Sequence, residues 1–299
     1  MPWELDYALL SFTQLKKSKY YIDDKDSIYI DVTLNLSDYL INWKDTSIPK
    51  SFFIDKFKSL QPLLKDYICN FKIYDGDQLY GGLNTIYEST EEHIDHYIIL
   101  NPDMYFSENL LFYLIESSKH INNEYFIITP QIPKGWDKTW DLISNSNYSN
   151  VEHKDWNNLD VYDIRNHQNT QNNPIELIPL NIHKWAGWCD LYNKKMWENF
   201  WSNNWDGYGE CDHYTMQLSQ FAKFHGVDIQ QYVLKNQIVY EYESGPLKNK
   251  NLSNYYKKQI VMNDIPNQRK SFFKQLPYEY KKGIKKLINK NIIPNSLKL

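Results

Sequence analysis

An aspartate stands where a short apolar run of the sequence stops. Residues 96–100, His-Tyr-Ile-Ile-Leu, have the composition of a strand, and Asn101-Pro102-Asp103 follow directly. In open α/β sheets ligands bind outside the carboxyl ends of the strands, so Asp103 is expected at the edge of a site. Magnesium and manganese prefer oxygen ligands, and one or two carboxylates suffice where substrate phosphates supply the rest. Asp103 is therefore a candidate metal ligand and Asn101 a second oxygen donor. The alternative is an ordinary turn whose aspartate caps the next helix.

An apolar strand that ends in Asn-Pro-Asp resembles the Asp-x-Asp motif of nucleotide-sugar-dependent glycosyltransferases of the GT-A fold, closest to the family 2 type. In that family the two acids bind the metal ion that bridges the donor diphosphate. The resemblance implies this role for Asp103 and a weaker one for Asn101, which stands in place of the first aspartate. It covers roughly residues 25–245 and depends on the order and spacing of several short motifs.

The resemblance extends to residues 206–226, a glycine-containing loop with acids that leads into a helix ending at Gly226. This segment is similar to the family's Glu-Asp loop, which precedes a helix and supplies the catalytic base. Cys211 separates the two acids here, and the resemblance implies Asp212 as the base, with Glu210 as the other candidate. A carboxylate can take the proton of an acceptor hydroxyl as the glycosidic bond forms. The alternative is that these acids only favour the positive end of the helix.

Two further segments resemble the donor-binding parts of the family. Residues 71–77, Phe-Lys-Ile-Tyr-Asp-Gly-Asp, are similar to a segment in which an aspartate touches the base or ribose, which implies Asp75 and Asp77 as nucleotide contacts. Gly81-Gly82 would then admit the donor closely, although a Gly-Gly turn before a helix is the commoner explanation. Asp31, at the end of the first predicted strand, is a lesser candidate by position.

Residues 185–190, Trp-Ala-Gly-Trp-Cys-Asp, fall where the family has a short loop beneath donor and acceptor. Trp185 and Trp188 are candidates for stacking on a sugar or base, and Asp190 for hydrogen bonds with sugar hydroxyls. The alternative for either tryptophan is burial in the core.

One part of the family pattern is missing. Many GT-A enzymes have a histidine metal ligand on a late strand, but the matching residues 237–245 contain none. Either Glu241 or His213 takes its place, or fewer protein ligands hold the ion, or catalysis is independent of metal.

Strands and helices alternate along the first half of the chain. Apolar, β-branched stretches predict strands at residues 28–33, 96–100 and 125–129, the last stopped by Pro130, and residues 71–77 read as a strand that runs into an acidic, glycine-containing turn. Helical spacing predicts helices at 51–64, 82–92 and after a cap at Ser107. This order predicts an α/β fold with a GT-A-like, mostly parallel sheet flanked by helices. A polar connection at 143–174, a helix near 212–225 and two short strands, IQQYVL and QIVYEY, are expected to follow.

Composition narrows the function classes. The 299 residues are 42% hydrophobic with a net charge of −4, which supports a sizeable core and gives no general case for nucleic-acid binding. The chain has no Walker loop, GxGxxG or GxSxG motif, which argues against an ATPase, a dinucleotide dehydrogenase and an α/β-hydrolase. Three well-separated cysteines and an N-terminus without a signal sequence predict reduced thiols and a cytoplasmic protein.

The C-terminal tail is basic. Residues 278–293 place Tyr280, Ile284, Leu287 and Ile288 on one helical face with lysines around the rest. Such a helix can lie on an anionic membrane, where lipid-linked sugar acceptors are found, or it can pack its apolar stripe on the core. We divide the chain into a GT-A-like domain, 1–248, and a helical appendage, 249–299.

Together these features predict a glycosyltransferase that moves a sugar from a nucleoside diphosphate sugar to a hydroxyl of a glycan or lipid-linked acceptor. The transfer is expected to need Mn²⁺ or Mg²⁺ and to invert the anomeric centre. The helix at 278–293 would allow peripheral contact with the inner membrane face. Two alternatives remain: an inactive glycan-binding module of the same fold, and a transferase acting on modified DNA bases.

Overall fold

The computed structural model describes residues 4–23, 25–36, 48–76, 93–131, 175–180, 189–201, 215, 218–219, 221–241 and 278–295. The strands within these residues are β1 (Tyr29–Asn35), β2 (Ile68–Tyr74), β3 (His96–Leu100), β4 (Met104–Tyr105), β5 (Tyr125–Gln131), β6 (Leu177–Leu180), β7 (Cys189–Asn193), β8 (Ile229–Ile238) and β9 (Tyr240–Glu241). The helices are α1 (Leu5–Ser18), α2 (Lys50–Leu60), α3 (Leu110–Ser118), α4 (Lys194–Phe200) and α5 (Tyr278–Asn289), with 3-10 turns at Lys19–Tyr21 and Gln61–Leu64. The predicted helix at 82–92 and the connection at 143–174 lie outside the described residues.

Five strands form a mixed sheet in the order β3-β7-β5-β8-β6. β5 and β8 are parallel, whereas β7 is antiparallel to both β3 and β5, and β6 is antiparallel to β8. The chain is therefore α/β, as predicted, but the expectation of a mostly parallel sheet is wrong for these five strands. β3 and β5 do point the same way, as strand-helix alternation requires. The antiparallel strands β6 and β7 come after the alternating part of the sequence, which therefore carried no information about their direction.

A second, parallel pair is formed by β1 and β2, which pair from Tyr29 with Ile68 to Asn35 with Tyr74. Helix α2 packs on this pair, and the Phe57 and Phe71 rings meet at 5.7 Å between centroids. β1 continues two residues beyond the predicted end of the strand. Asp31 therefore lies inside the strand, opposite Asn70, and not at its carboxyl end as expected.

Pro130 does not stop β5. The strand continues to Gln131, and its partner on β8 jumps from Leu234 to Ile238 at this point. An irregularity of this kind lets a sheet accommodate a proline, which has no N–H to donate to the ladder. The two short strands expected near 229–242 are instead one long strand, β8, followed by the two residues of β9.

Aromatic side chains of β3, β7 and α4 form part of the core. The Tyr97 ring stacks on Trp197 with centroids 4.9 Å apart, and Trp197 stacks on Trp201 at 4.8 Å. Tyr192 meets both tryptophans edge-on. Trp197 and Trp201 are buried, so burial in the core explains these two tryptophans. The other tryptophans lie outside the described residues.

Helix α5 packs its apolar stripe on the rest of the protein. Tyr280, Ile284 and Leu287 belong to the same buried core as the sheet. Lys286 Nζ donates a hydrogen bond to the Glu198 carbonyl at 2.5 Å, and Lys290 Nζ donates to Asn199 Oδ1 at 2.7 Å. These bonds place two cations at the carboxyl end of α4, where the helix dipole favours positive charge. Burial is the main reason that the pKa of Lys286 is lowered.

The apolar stripe of α5 therefore packs on the core, which was one of the two alternatives for this helix. Lys282 and Lys285 are exposed and can contact solvent or a membrane surface. Among the helices of the described residues, none has the length and apolar character required to cross a membrane.

Leu287→Ala tests this packing. Because the Leu287 side chain is fully buried, the variant is expected to lose about 2–4 kcal/mol of unfolding free energy. Urea unfolding followed by tryptophan fluorescence measures the loss. Lys285→Ala, an exposed position on the same helix, serves as the control and is expected to change stability by less than about 0.5 kcal/mol. Equal stability of the two variants would contradict packing of α5 on the core.

Candidate functional site

Three strands end at one edge of the five-stranded sheet. β3 and β5 point the same way because both are antiparallel to β7, and β8 is parallel to β5. Their carboxyl ends therefore lie on the same side, which we call the carboxyl edge. Asn101, Pro102 and Asp103 follow β3 at this edge, and β9 follows β8 there. In α/β sheets this is where ligands bind.

The residues after β3 form a tight turn. The Met104 N–H donates a hydrogen bond to the Asn101 carbonyl at 3.3 Å, which closes a four-residue turn with Pro102 in its second position. Proline favours that position because its φ angle already suits the turn. The Asp103 side chain is only 5% exposed. A carboxylate is costly to bury unless it is paired, hydrogen-bonded or bound to a cation.

Asp103 does not cap the next helix. The turn leads into β4, and α3 begins only at Leu110 with Asn109 in the capping position. The helix-cap alternative for Asp103 is therefore wrong. Ser107, which was expected to cap α3 with its side chain, instead donates its hydroxyl hydrogen bond to Gln237 Oε1 at 3.1 Å. This bond ties the start of α3 to the irregular part of β8.

Strand β9 places a second acidic residue, Glu241, opposite the turn in sequence register. β4 and β9 pair antiparallel, with Met104 opposite Glu241 and Tyr105 opposite Tyr240. The Glu241 backbone therefore lies across from the residue that follows Asp103, although the two are far apart in sequence. The Glu241 side chain lies outside the described part of the chain. Glu241 is one of the two residues, with His213, that the sequence offered in place of the missing histidine ligand.

Helix α1 also contacts the turn. The Ser11 hydroxyl lies 2.7 Å from the Pro102 carbonyl oxygen and 2.5 Å from the Met104 carbonyl oxygen. No helix was predicted here from the sequence. The signal was present, because Leu5, Ala8, Phe12 and Leu15 recur at helical spacing and are all buried.

Asp190 lies close to the same edge, inside β7. It pairs with Ile99 of β3 and is completely buried. The Tyr192 hydroxyl donates to Asp190 Oδ2 at 3.4 Å. The neighbouring Cys189 is also buried, and burial strongly raises the pKa of its thiol, with the Asp190 charge adding to the effect. Cys189 is a free cysteine, and its raised pKa favours the neutral thiol at physiological pH.

The role of Asp190 toward sugar hydroxyls stays a prediction. The adjacent candidates Trp185 and Trp188 lie outside the described residues.

Asp75 follows β2, beside the end of β1. Its side chain is 57% exposed and accepts a hydrogen bond from Lys50 Nζ at 2.5 Å. Exposed pairs of this type contribute about 0–1 kcal/mol, so this pair leaves Asp75 accessible to a ligand at little cost. Its nucleotide-binding role stays a prediction. Asp77 and Gly81-Gly82 lie outside the described residues.

The described part of the chain does not include the candidate catalytic bases, Asp212 and Glu210, or the alternative metal ligand, His213. The helix expected after them ends as predicted. Gly226 has a φ of +89°, and the Val227 N–H donates to the Ala222 carbonyl at 3.1 Å. This is the left-handed helix ending that glycine permits.

The oxygen donors at the carboxyl edge suit magnesium or manganese. Asp103 offers a carboxylate, Asn101 an amide, and Glu241 a second acid position in register with the turn. Hard cations of this type accept such ligands and complete their shell with phosphate oxygens or water. Within the described residues, no three His, Cys, Asp or Glu side chains converge as a metal site.

We compared the chain with models of known protein families and with curated proteins, and neither comparison gave a match.

Proposed function

We propose that the protein is a GT-A-like glycosyltransferase that uses a nucleoside diphosphate sugar as donor. The main support is the turn at the carboxyl edge, which carries the buried Asp103 and lies in register with Glu241. A carboxylate in this place suits the binding of a divalent cation together with a diphosphate. The mixed α/β sheet is compatible with the proposal but does not by itself specify a reaction.

In the proposed mechanism Asp103 would hold Mn²⁺ or Mg²⁺ with help from Asn101 and from Glu241. The ion, when bound, would offset the negative charge of the diphosphate. Asp75 and Asp77 would contact the nucleoside, and Trp185, Trp188 and Asp190 would lie beneath the sugar.

Asp212, or Glu210 in its place, takes the proton of the acceptor hydroxyl. The acceptor oxygen then bonds to the anomeric carbon as the bond to the nucleoside diphosphate breaks. Direct displacement of this kind inverts the configuration of the sugar.

The acceptor we propose is a glycan or a lipid-linked glycan. Since the apolar stripe of α5 is buried in the core, contact with an anionic membrane would depend on its exposed lysines and not on insertion of the helix. Such electrostatic contact is weakened by salt. The protein as a whole, with its net charge of −4, is not expected to bind nucleic acid in general.

Thermal stability in the presence of nucleotides tests the proposal. The melting temperature is measured with UDP, GDP, CMP, TDP and ADP, each with and without manganese. A ligand that binds only the folded state raises the melting temperature. We expect a rise with one diphosphate that requires manganese, and this result would also name the base of the donor.

If no nucleotide shifts the melting temperature, the glycosyltransferase proposal fails. Calorimetric titration with free glycans then tests the glycan-binding module, which should bind without nucleotide or metal. Salt-sensitive binding to duplex DNA would instead favour a transferase acting on modified bases.

A further inference from the structure

We propose that Ser11 is a positioning residue that holds the turn carrying Asp103. Its hydroxyl oxygen lies 2.7 Å from the Pro102 carbonyl and 2.5 Å from the Met104 carbonyl. These two carbonyls belong to the residues on either side of Asp103, so a single side chain restrains the backbone before and after the carboxylate. The importance of Ser11 for metal binding rests on the proposed function, whereas its hold on the turn does not.

Ser11 behaves differently from a second buried serine on the same helix. Ser18 donates its hydroxyl hydrogen bond to the Gln14 carbonyl one turn earlier, at 3.0 Å. Serine in a helix commonly bonds in this way, back to the residue four positions before it. Ser11 instead directs its hydroxyl out of the helix, to residues more than 90 positions away in the chain. The contact therefore serves the turn and not the helix.

The same contact also restrains the residue that pairs with Glu241. Met104, whose carbonyl lies against Ser11, is the residue that pairs with Glu241 in the β4–β9 ladder. A serine hydroxyl has one proton and can donate to either carbonyl, so the turn keeps a bond to α1 through small movements. Helix α1 thus restrains the backbone on both sides of Asp103, including the residue that pairs with Glu241.

The test compares Ser11→Ala with Ser18→Ala. Both changes remove one buried hydroxyl from α1, but only the first removes a bond to the turn. Hydrogen exchange of the Met104 amide, which closes the turn, is measured relative to the amides of β5. Loss of one hydrogen bond is expected to speed exchange at Met104 roughly tenfold in Ser11→Ala, with no change in this ratio in Ser18→Ala. Equal exchange at Met104 in the two variants overturns the inference.

A second measurement separates the inference from the proposed function. The affinity for UDP, GDP, TDP and ADP in the presence of manganese is measured for both variants and for the unmodified protein. We expect roughly tenfold weaker binding in Ser11→Ala only. If the unmodified protein binds none of them, the proposed function fails while the exchange result still decides the role of Ser11. If it binds one and Ser11→Ala binds equally well, the role in metal binding is overturned.

Discussion

Replacing Asp103 with alanine or asparagine is expected to remove the manganese-dependent binding of the nucleoside diphosphate. Asp103 supplies the only carboxylate of the turn at the carboxyl edge, and asparagine keeps its shape without its charge. A bound metal ion stabilises the negative charge that develops in a transition state by several kcal/mol. The rate of sugar transfer should therefore fall on the order of 10²–10³-fold in either variant. The measurements are the metal-dependent shift in melting temperature and the release of nucleoside diphosphate from its sugar donor.

The control for this experiment is Asp228→Ala. Asp228 is exposed and precedes β8, so it lies at the opposite edge of the sheet. It should leave both the metal-dependent shift and the transfer rate unchanged. Asp103 is buried, so the melting temperature without ligand is recorded first, to separate lost binding from lost stability. Full transfer activity in Asp103→Asn would refute the metal role.

Trp197→Ala is expected to have the largest effect on stability. The Trp197 ring lies between Tyr97 at 4.9 Å and Trp201 at 4.8 Å, and it is 5% exposed. Truncating a buried tryptophan removes its apolar contacts and leaves a cavity, with a typical loss of about 3–5 kcal/mol. A loss of this size is a large part of the roughly 5–15 kcal/mol that keeps a domain folded. Urea unfolding followed by circular dichroism measures it.

The comparison for Trp197 is an exposed aromatic residue, Phe224, which is 63% exposed. Phe224→Ala should change the unfolding free energy by less than about 0.5 kcal/mol. A loss below about 1 kcal/mol in Trp197→Ala would contradict a core role for this ring. Weaker glycan binding without loss of stability would make Trp197 a sugar platform instead.

Local sequence was sufficient to place the strand that leads into the turn with Asp103. The strand His96–Leu100 was predicted with its observed bounds, because an apolar, β-branched run ends abruptly at a proline-containing turn. The position of Asp103 at the sheet edge followed from that boundary. Pro130 shows the limit of the same argument, since pairing with β8 carried β5 past a residue that usually ends a strand.

The parts that could not be predicted depend on pairing between distant segments. The sequence of residues 189–193 does not indicate that they form a strand between β3 and β5, antiparallel to both. Glu241 was named as a possible ligand by analogy, but its place across from Met104 is a matter of register. Ser11 was missed for a similar reason, because its importance depends on where α1 lies and not on its neighbours in the sequence.

The β4–β9 ladder also sets the order in which this region can be assembled during synthesis. Helix α1 and the turn leave the ribosome before Glu241, the residue that pairs with Met104. Until that residue emerges, β4 has no β9 to pair with, and the intervening chain must first be brought into a closed loop. The candidate site is therefore completed only after β9 has been synthesised, and every nascent chain that ends before residue 240 lacks this strand.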